Sequence, residues 1–238
     1  MAKKILAIIQ ARSASKRLPN KILMNISRNI TVIENIYNTL SKSKKINQIV
    51  VATTKLSSDD HLSAFLKKKN IDFFRGSSNN VYDRFIKTAK KFKANIIVRI
   101  TADCPLIDYQ IVDKVLDNYF NNHVDYSSNI TPPTFPDGMD VEVFSFEFLK
   151  NQNSNVSNKF DQEHVTTYFR KSNKVSRVNH YSKINQSNFS VTLDDYDDYN
   201  KIINIFNYFK NKKLNYKSLI KYLNQNSNKF FILSKEKI

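Results

Sequence analysis

The chain has 238 residues, and its 41% hydrophobic and 25% charged content is typical of a globular protein rather than a disordered one. Two glycines and one cysteine exclude a glycine-rich nucleotide-binding motif, a disulfide framework and a zinc site built from several thiolates. A net charge of +17 could indicate a nucleic-acid partner, but 30 of the 38 basic residues are Lys, and they are spread over predicted helix ends. We therefore expect solvated helix faces and no nucleic-acid partner.

The first half of the chain alternates predicted strands and helices. Residues 5–11 form a run of strand length, and its apolar part at 5–9 is too short for a secretory signal or a membrane span, so we expect a cytoplasmic protein without a membrane partner. Further strands are predicted at 48–53, 72–75 and 95–101. Apolar residues recur at helical spacing around 32–40, 62–66, 81–92 and 111–119. This order predicts an α/β fold with three layers, a mostly parallel sheet between helices.

The pattern changes after residue 121. Strands are predicted at 125–129 and 140–145 around a Pro-rich turn, followed by a helix at 161–171, strands at 175–181 and 189–193, and two final helices. No Gly/Ser-rich linker interrupts the chain, so we predict one domain over 1–233 with a short tail at 234–238. We expect the inserted, partly antiparallel segment 123–187 to bind a second substrate and to carry dimer contacts.

The loop after the first strand carries the clearest binding signal. Arg12, Lys16, Arg17 and Lys21 place four cations within ten residues, separated by small residues. Ligands of open α/β sheets bind outside the carboxyl ends of the strands. The loop therefore predicts a cradle for a triphosphate, with an ordinary basic surface loop as the alternative.

Two carboxylates are predicted at the ends of other strands. Asp103 follows the strand at 95–101, where a carboxylate can hold Mg²⁺ together with substrate phosphates. Asp194 follows 189–193 and is the best candidate for a second metal ligand, whereas its acidic neighbours cap the next helix. Asp108 is interpreted as a helix N-cap and Cys104 as a structural residue.

Seven ordered segments resemble the cytidylyltransferases that make CMP-activated acidic sugars. The resemblance is strongest to the spore-coat polysaccharide branch, beside the acylneuraminate and 3-deoxy-manno-octulosonate enzymes. The segments are IIQARSASKRLPNKIL (8–23), VVATT (50–54), FFRGSSNNVYDRF (73–85), VRITADCPLID (98–108), FPDGMDVEVFS (135–145), EHVTTYFR (163–170) and VTLDDYDDY (191–199). The resemblance implies a Rossmann-like nucleotide-diphospho-sugar transferase fold.

The same resemblance implies a reaction and its residues. CMP would pass from CTP to an acidic sugar with release of pyrophosphate, in a Mg²⁺-dependent homodimer that serves surface polysaccharide or glycoconjugate synthesis. The implied catalytic residues are Arg12, Lys21, Asp103 and Asp194, and the two aspartates would hold Mg²⁺. The implied nucleotide contacts are Ala11, Arg12, Ser15, Arg17, Lys21, Arg75, Arg84 and Ala102, and the acceptor side comprises Gly138, Asp140, Glu142, Glu163 and His164.

Some positions depart from the family pattern or leave alternatives open. Ala14, Asn20 and Ala102 stand where the family commonly has glycine, and we expect the loop path to survive because Asn tolerates positive φ and Ala is small. Glu142 could clamp an acceptor hydroxyl or pair with a neighbouring Lys, and His164 could act as a base, orient substrate or pack. The alternative functions are transfer from another nucleotide, a phosphonate acceptor, glycosyl transfer, or a basic binding module without catalysis.

Overall fold

The computed structural model describes residues 3–231, and its centre is one seven-stranded sheet. In chain order the strands are β1 (Ile5–Gln10), β2 (Asn25–Ser27), β3 (Ile30–Thr31), β4 (Gln48–Thr54), β5 (Phe73–Gly76), β6 (Ile96–Thr101), β7 (Tyr126–Ser128), β8 (Glu142–Ser145) and β9 (Arg177–Asn179). The sheet order is β5-β4-β1-β6-β8-β7-β9, while β2 and β3 pair separately as a hairpin. The predicted α/β fold with a mostly parallel sheet is confirmed.

Each helix of the described residues follows a polar residue, and in most of them the side chain of that residue caps the helix. The helices are α1 (Val32–Leu40), α2 (Asp60–Lys68), α3 (Val81–Lys91), α4 (Tyr109–Asn122), α5 (Phe146–Asn151), α6 (Lys159–His164), α7 (Thr167–Lys171), α8 (Tyr196–Tyr208), α9 (Tyr216–Gln225) and α10 (Ser227–Phe230). Thr31 and Glu34 form a capping box on α1, and Asp108 caps α4 as predicted. Over residues 3–231, none of these helices has the length and apolarity needed to span a membrane.

The centre of the sheet is buried on both faces. β1 pairs in parallel with β4 and β6, and its residues Leu6 to Ile9 are fully buried. Antiparallel β8 pairs with β6 and β7, so the antiparallel part lies inside the inserted segment, as expected. Because β1, β4 and β6 run in parallel, their carboxyl ends meet at one edge of the sheet, where a ligand can bind.

Three details differ from the predicted elements. The helix expected at 161–171 is two short helices, because Val165 adopts φ 65° and interrupts it. Residues 189–193 join no strand ladder and form only isolated bridges, Asp137 with Ser190 and Phe189 with Phe231. The β2–β3 hairpin and α5 have apolar patterns too short to be predicted. The predicted tail at 234–238 lies outside the described residues.

Gly138 allows the Pro-rich turn to approach the segment 189–193. Its φ is +96°, and a Cβ at this position would lie 2.7 Å from the backbone nitrogen of Thr192. On either side, the Asp137 N–H donates to Phe189 O at 2.9 Å and the Val191 N–H donates to Asp137 O at 2.8 Å. The glycine therefore fixes the path of the segment that leads to Asp194.

We predict that Gly138→Ala destabilises the protein by more than about 1 kcal/mol, because alanine meets both an unfavourable φ and a backbone collision. Urea unfolding followed by circular dichroism measures the change. Ser154→Ala, at an exposed position, is the control and should leave the midpoint unchanged. Equal midpoints for both variants would contradict this account of Gly138.

Candidate active site

A cleft of about 440 Å³ opens at the carboxyl ends of β1 and β6. The loop after β1 supplies the largest share of its lining. The residues around it are Gln10, Ala11, Arg12, Ala14, Ser15, Lys16, Arg17, Lys21, Ile22, Val81, Arg84, Thr101, Ala102, Asp103, Glu163 and Asp194. The structure therefore brings most of the proposed nucleotide residues and both proposed metal ligands into one cavity.

The loop at 11–21 is shaped by its own backbone. The carbonyl oxygen of Ser13 accepts hydrogen bonds from the N–H groups of Ser15, at 2.9 Å, and Asn20, at 3.0 Å. Asn20 adopts φ 57° directly before a 3₁₀ turn that starts at Lys21. Asparagine thus takes up the left-handed conformation that a glycine would otherwise supply, as expected from its tolerance of positive φ.

A buried aspartate that the sequence analysis missed anchors this loop. Asp59 is 1% exposed, and its Oδ1 accepts the Ser13 N–H at 2.6 Å. Its Oδ2 accepts the hydroxyls of Thr53 and Thr54, at 2.9 and 2.5 Å, and the Thr54 N–H at 3.1 Å. Burial alone would raise the pKa of Asp59, but these hydrogen bonds outweigh it and lower the pKa. Asp59 therefore fastens the loop to the end of β4.

Two cations of the loop converge on Asp194. The ammonium of Lys21 lies 3.0 Å from Asp194 Oδ1 and donates to the carbonyl oxygen of Leu193 at 2.6 Å, while Arg17 lies 2.9 Å from Oδ2. Burial alone would raise the pKa of Asp194, but Lys21 and Arg17 outweigh it and hold the pKa below its usual value. The Leu193 N–H donates to Asp103 O at 2.9 Å, so the two proposed metal-binding segments are joined by a backbone hydrogen bond.

The carboxylates of Asp103 and Asp194 fit a hard divalent cation that takes its remaining ligands from phosphates and water. Across residues 3–231 no group of three or more His, Cys, Asp and Glu side chains is placed to hold a metal. Mg²⁺ needs fewer protein ligands than that, because it is commonly bound through one or two carboxylates plus substrate phosphates. Arg17 and Lys21 now donate to the two oxygens of Asp194, so a metal ion there would compete with them for the carboxylate.

Arg84 and Arg75, both expected at the nucleotide, differ in placement. Arg84 lines the cleft, is 1% exposed and donates to Ser77 O at 2.6 Å, while its Nε has no hydrogen-bond partner. Burial lowers the pKa of Arg84 to about 10; the charge of Asp59 opposes this effect, and the charge of Arg12 adds to it. A Cβ on Gly76 would lie 2.7 Å from Arg84 Cγ, so the glycine makes room for this arginine.

Arg75 lies outside the lining of the cleft. Its Nε donates to Thr54 O and its terminal nitrogen to Leu56 O, both at 2.9 Å, and it pairs with Asp60 at 2.6 Å. These contacts fix the turn after β4. The structure therefore gives Arg75 partners within the protein rather than an open position for phosphate or base.

Glu142, expected on the acceptor side, is a buried ion-pair partner. It is 1% exposed, pairs with Arg99 and accepts the hydroxyl of Tyr126 at 2.6 Å. Burial alone would raise the pKa of Glu142, but Arg99 and then Arg170 outweigh it and lower the pKa. Arg99 also donates to Gln10 Oε1 at 3.1 Å. The ion-pair interpretation of Glu142 therefore fits the geometry, with Arg99 in place of the expected Lys.

Of the other acceptor-side residues, Glu163 lines the cleft, whereas Gly138, Asp140 and His164 are not part of its lining. Glu163 lies 3.6 Å from Arg12, and the ring of His164 lies 4.3 Å from that of Phe160. Burial lowers the pKa of His164 despite the opposing charge of Glu163. Asp140 is half-buried, and burial followed by repulsion from neighbouring carboxylates raises its pKa to about 7.

Comparison with known proteins decides the family. The sequence model described as Cytidylyltransferase matches residues 6–238. The chain belongs to the cytidylyltransferase family. It is 31% identical to the spore coat polysaccharide biosynthesis protein SpsF of Bacillus subtilis over 83% of this chain and 84% of that protein. It is also 35% identical to a 3-deoxy-manno-octulosonate cytidylyltransferase of Leptospira interrogans, over 48% of this chain and 46% of that protein.

A solved cytidylyltransferase from Leptospira borgpetersenii matches the whole architecture. The two chains are 30% identical, the match covers 98% of this chain and 99% of that one, and the TM-score is 0.90. The predicted resemblance to cytidylyltransferases is confirmed.

In this cytidylyltransferase, Asp59→Asn should lower stability by about 1–3 kcal/mol, because an amide cannot accept all the hydrogen bonds that the carboxylate accepts. It should also speed tryptic cleavage at the loop cations, since Ser13 loses its anchor. Thermal unfolding and timed digestion measure both effects. Asp60→Asn, at a carboxylate whose side chain is 61% exposed, is the control and should change neither strongly. Unaltered loop cleavage in Asp59→Asn would refute the anchoring role.

Glu142→Gln should destabilise the cytidylyltransferase by about 3–5 kcal/mol at pH 7, because it leaves the Arg99 charge buried and uncompensated. The folded-state pKa of Glu142 is lowered, so the pair contributes fully above the unfolded value of about 4.5 and its contribution is lost as the pH falls through the lowered value. Urea unfolding at pH 7 and pH 3 should therefore show a smaller mutational difference at pH 3.

Glu147→Gln is the matched control, because Glu147 pairs with Lys150 at a side chain that is 65% exposed. Its effect should stay within about 1 kcal/mol at both pH values. Equal effects of the two substitutions at pH 7 would show that the buried pair is not a structural element of the fold.

Proposed function

We propose that this cytidylyltransferase transfers CMP from CTP to an acidic sugar and releases pyrophosphate, in the synthesis of surface polysaccharide or another glycoconjugate. The observation that carries the proposal is the convergence of the loop 11–21 with Asp103 and Asp194 in one cleft. Four cations next to two carboxylates suit a triphosphate bound together with a divalent cation. The relatives named for spore-coat and octulosonate chemistry support the acidic-sugar acceptor.

Asp103 and Asp194 are proposed to hold Mg²⁺. When bound, the metal would supply positive charge to phosphate oxygens, which nucleotidyl transfer requires. Lys21 and Arg17 now neutralise Asp194. We propose that one of them moves onto the nucleotide phosphates when the metal and the nucleotide bind. The Asp194 carboxylate would then hold the metal, and the released cation would bind a phosphate.

The chain's own residues then position the reactants and stabilise charge. The acceptor hydroxyl attacks the α-phosphorus in line, the bond from that phosphorus to the bridging oxygen breaks, and pyrophosphate leaves. Arg12, Lys21 and the backbone of Ala11 and Ser15 are proposed to bind the phosphates, with Arg84 behind them. The Nε of buried Arg84 has no hydrogen-bond partner, and an anion in the cleft would offset the cost of burying the charge of this arginine.

The acceptor is proposed to bind beside Glu163 and His164, next to Gly138 and Asp140. Glu163 lines the cleft, and Asp140 lies close enough to Asp103 for the two carboxylates to repel each other. Burial and neighbouring carboxylates raise the pKa of Asp140, and its carboxylate is proposed to accept the proton of the acceptor hydroxyl. The homodimer, the cytoplasmic location and the acceptor role of residues 123–187 stay predictions.

The test is pyrophosphate release with Mg²⁺ and each of CTP, UTP, ATP and GTP, against a panel of acidic sugars and phosphonates. We expect release with CTP and one acidic sugar. Asp103→Asn should lower kcat by at least about a hundredfold, because charge neutralisation at the phosphates is lost. Asp113→Asn is the matched control on the outer part of α4, where the carboxylate accepts the Ser43 hydroxyl, and it should leave kcat unchanged.

Each of the other outcomes would favour a different function. Release of a nucleoside diphosphate would indicate glycosyl transfer, and release only with a phosphonate would replace the acidic-sugar acceptor. No release, together with no rise in melting temperature on adding CTP and Mg²⁺, would contradict the proposal and favour a binding module without catalysis.

A further inference from the structure

A second cavity lies beside the connection from β6 to α4 and shares no lining residue with the cleft. Residues 101–103 of this connection line the cleft, whereas residues 105–110 line the second cavity. Its volume is about 720 Å³, and its other walls come from the β2–β3 hairpin, α1, the end of α8 and the start of α9. The second cavity is therefore a separate site, larger than the cleft.

The lining of the second cavity is mixed: one part of it is an apolar cluster, and exposed cations lie at its mouth. Wall residues include Ile30, Leu106, Phe206, Phe209 and Leu219. Four exposed cations surround them, namely Arg28, Lys42, Lys210 and Lys213. Within the described range 3–231, none of these four takes part in an ion pair.

Asp108, the carboxylate in the lining, forms no ion pair with these cations, and both of its oxygens accept backbone N–H groups. Asp108 Oδ1 accepts the Gln110 N–H at 2.8 Å as the cap of α4, and its Oδ2 accepts the Tyr216 N–H at 2.7 Å. This second hydrogen bond ties the start of α9 to the connection from β6 and so holds the cavity open between them. The cations at the mouth are thus left for a ligand.

We propose that the second cavity binds an organic anion with an apolar body, independently of the cytidylyl transfer. Its volume lies within the range of about 300–1,000 Å³ that small-molecule sites occupy. The apolar walls would cover the body of such a ligand, and the cations would bind its acidic group. An inorganic anion would leave the walls exposed to water, and a neutral apolar molecule would leave the cations unpaired, so the combination selects the amphipathic anion.

The test is a fluorescence titration of the full chain with 8-anilinonaphthalene-1-sulfonate, an aromatic anion, in the presence of excess CTP and Mg²⁺ to fill the cleft. We expect one bound molecule per chain. Lys210→Glu combined with Lys213→Glu should raise the Kd at least tenfold. Lys67→Glu combined with Lys68→Glu makes the same change in net charge at the exposed end of α2 and should leave the Kd unchanged.

A second variant distinguishes loss of binding from loss of the fold. Thr39→Trp places a large side chain on the α1 wall and should abolish binding while the chain keeps its circular dichroism spectrum. Displacement of the probe by AMP would indicate that the apolar part of the ligand is a ring system. Displacement by dodecyl phosphate would indicate that it is an alkyl chain. Binding that is lost on adding CTP, or that is unaffected by both Thr39→Trp and the Lys210/Lys213 reversal, would overturn the proposal.

Discussion

The ion pairs of Lys21 and Arg17 with Asp194 connect the two parts of the chain that form the cleft. Lys21 and Asp194 are separated by 173 positions in sequence, yet their side chains lie 3.0 Å apart. The contact is possible because Gly138 lets the segment 189–193 lie flat against the Pro-rich turn, and because the Leu193 N–H binds the carbonyl of Asp103. The chemistry of the cleft therefore depends on a close backbone approach far from the reacting groups.

The positive charge of the cleft is partly balanced by carboxylates. In a chain of net charge +17, Asp194 pairs with two cations of the loop, while Asp59 accepts the Ser13 N–H at the base of the loop. Both carboxylates have lowered pKa values for this reason, since nearby cations or N–H groups favour the charged form. A triphosphate that enters the cleft competes with Asp194 for Lys21 and Arg17, which leaves Asp194 available for a metal ion.

The sequence predicts most of the elements that have a periodic apolar pattern and most of the site residues that directly follow a strand. The apolar run at β1, the helical spacing of α1 and α3, and the cations after β1 all indicate their final positions. The anchoring role of Asp59 could not be predicted, because its partners Ser13 and Thr53 are brought together only by the parallel pairing of β1 with β4.

Sequence predictions at other positions are wrong for related reasons. Residues 189–193 have the apolar pattern of a strand, but the turn at Gly138 supplies only isolated bridges. The alternating pattern of Asp140, Val141 and Glu142 suggests that the two acidic side chains are exposed. In the structure Glu142 is buried, and it pairs with Arg99 on the neighbouring strand β6. The break at Val165 opposes the conformational preference of a β-branched residue, so only tertiary packing can impose it.

The most direct test of the central claim is a crystal structure of the chain with CTP and Mn²⁺, in which the metal is located by its anomalous signal. The account predicts a metal peak bound by the carboxylates of Asp103 and Asp194, with the triphosphate along residues 11–21 and at least one of Arg17 and Lys21 moved from Asp194 to a phosphate. A nucleotide bound elsewhere, or a metal that touches neither aspartate, would contradict it.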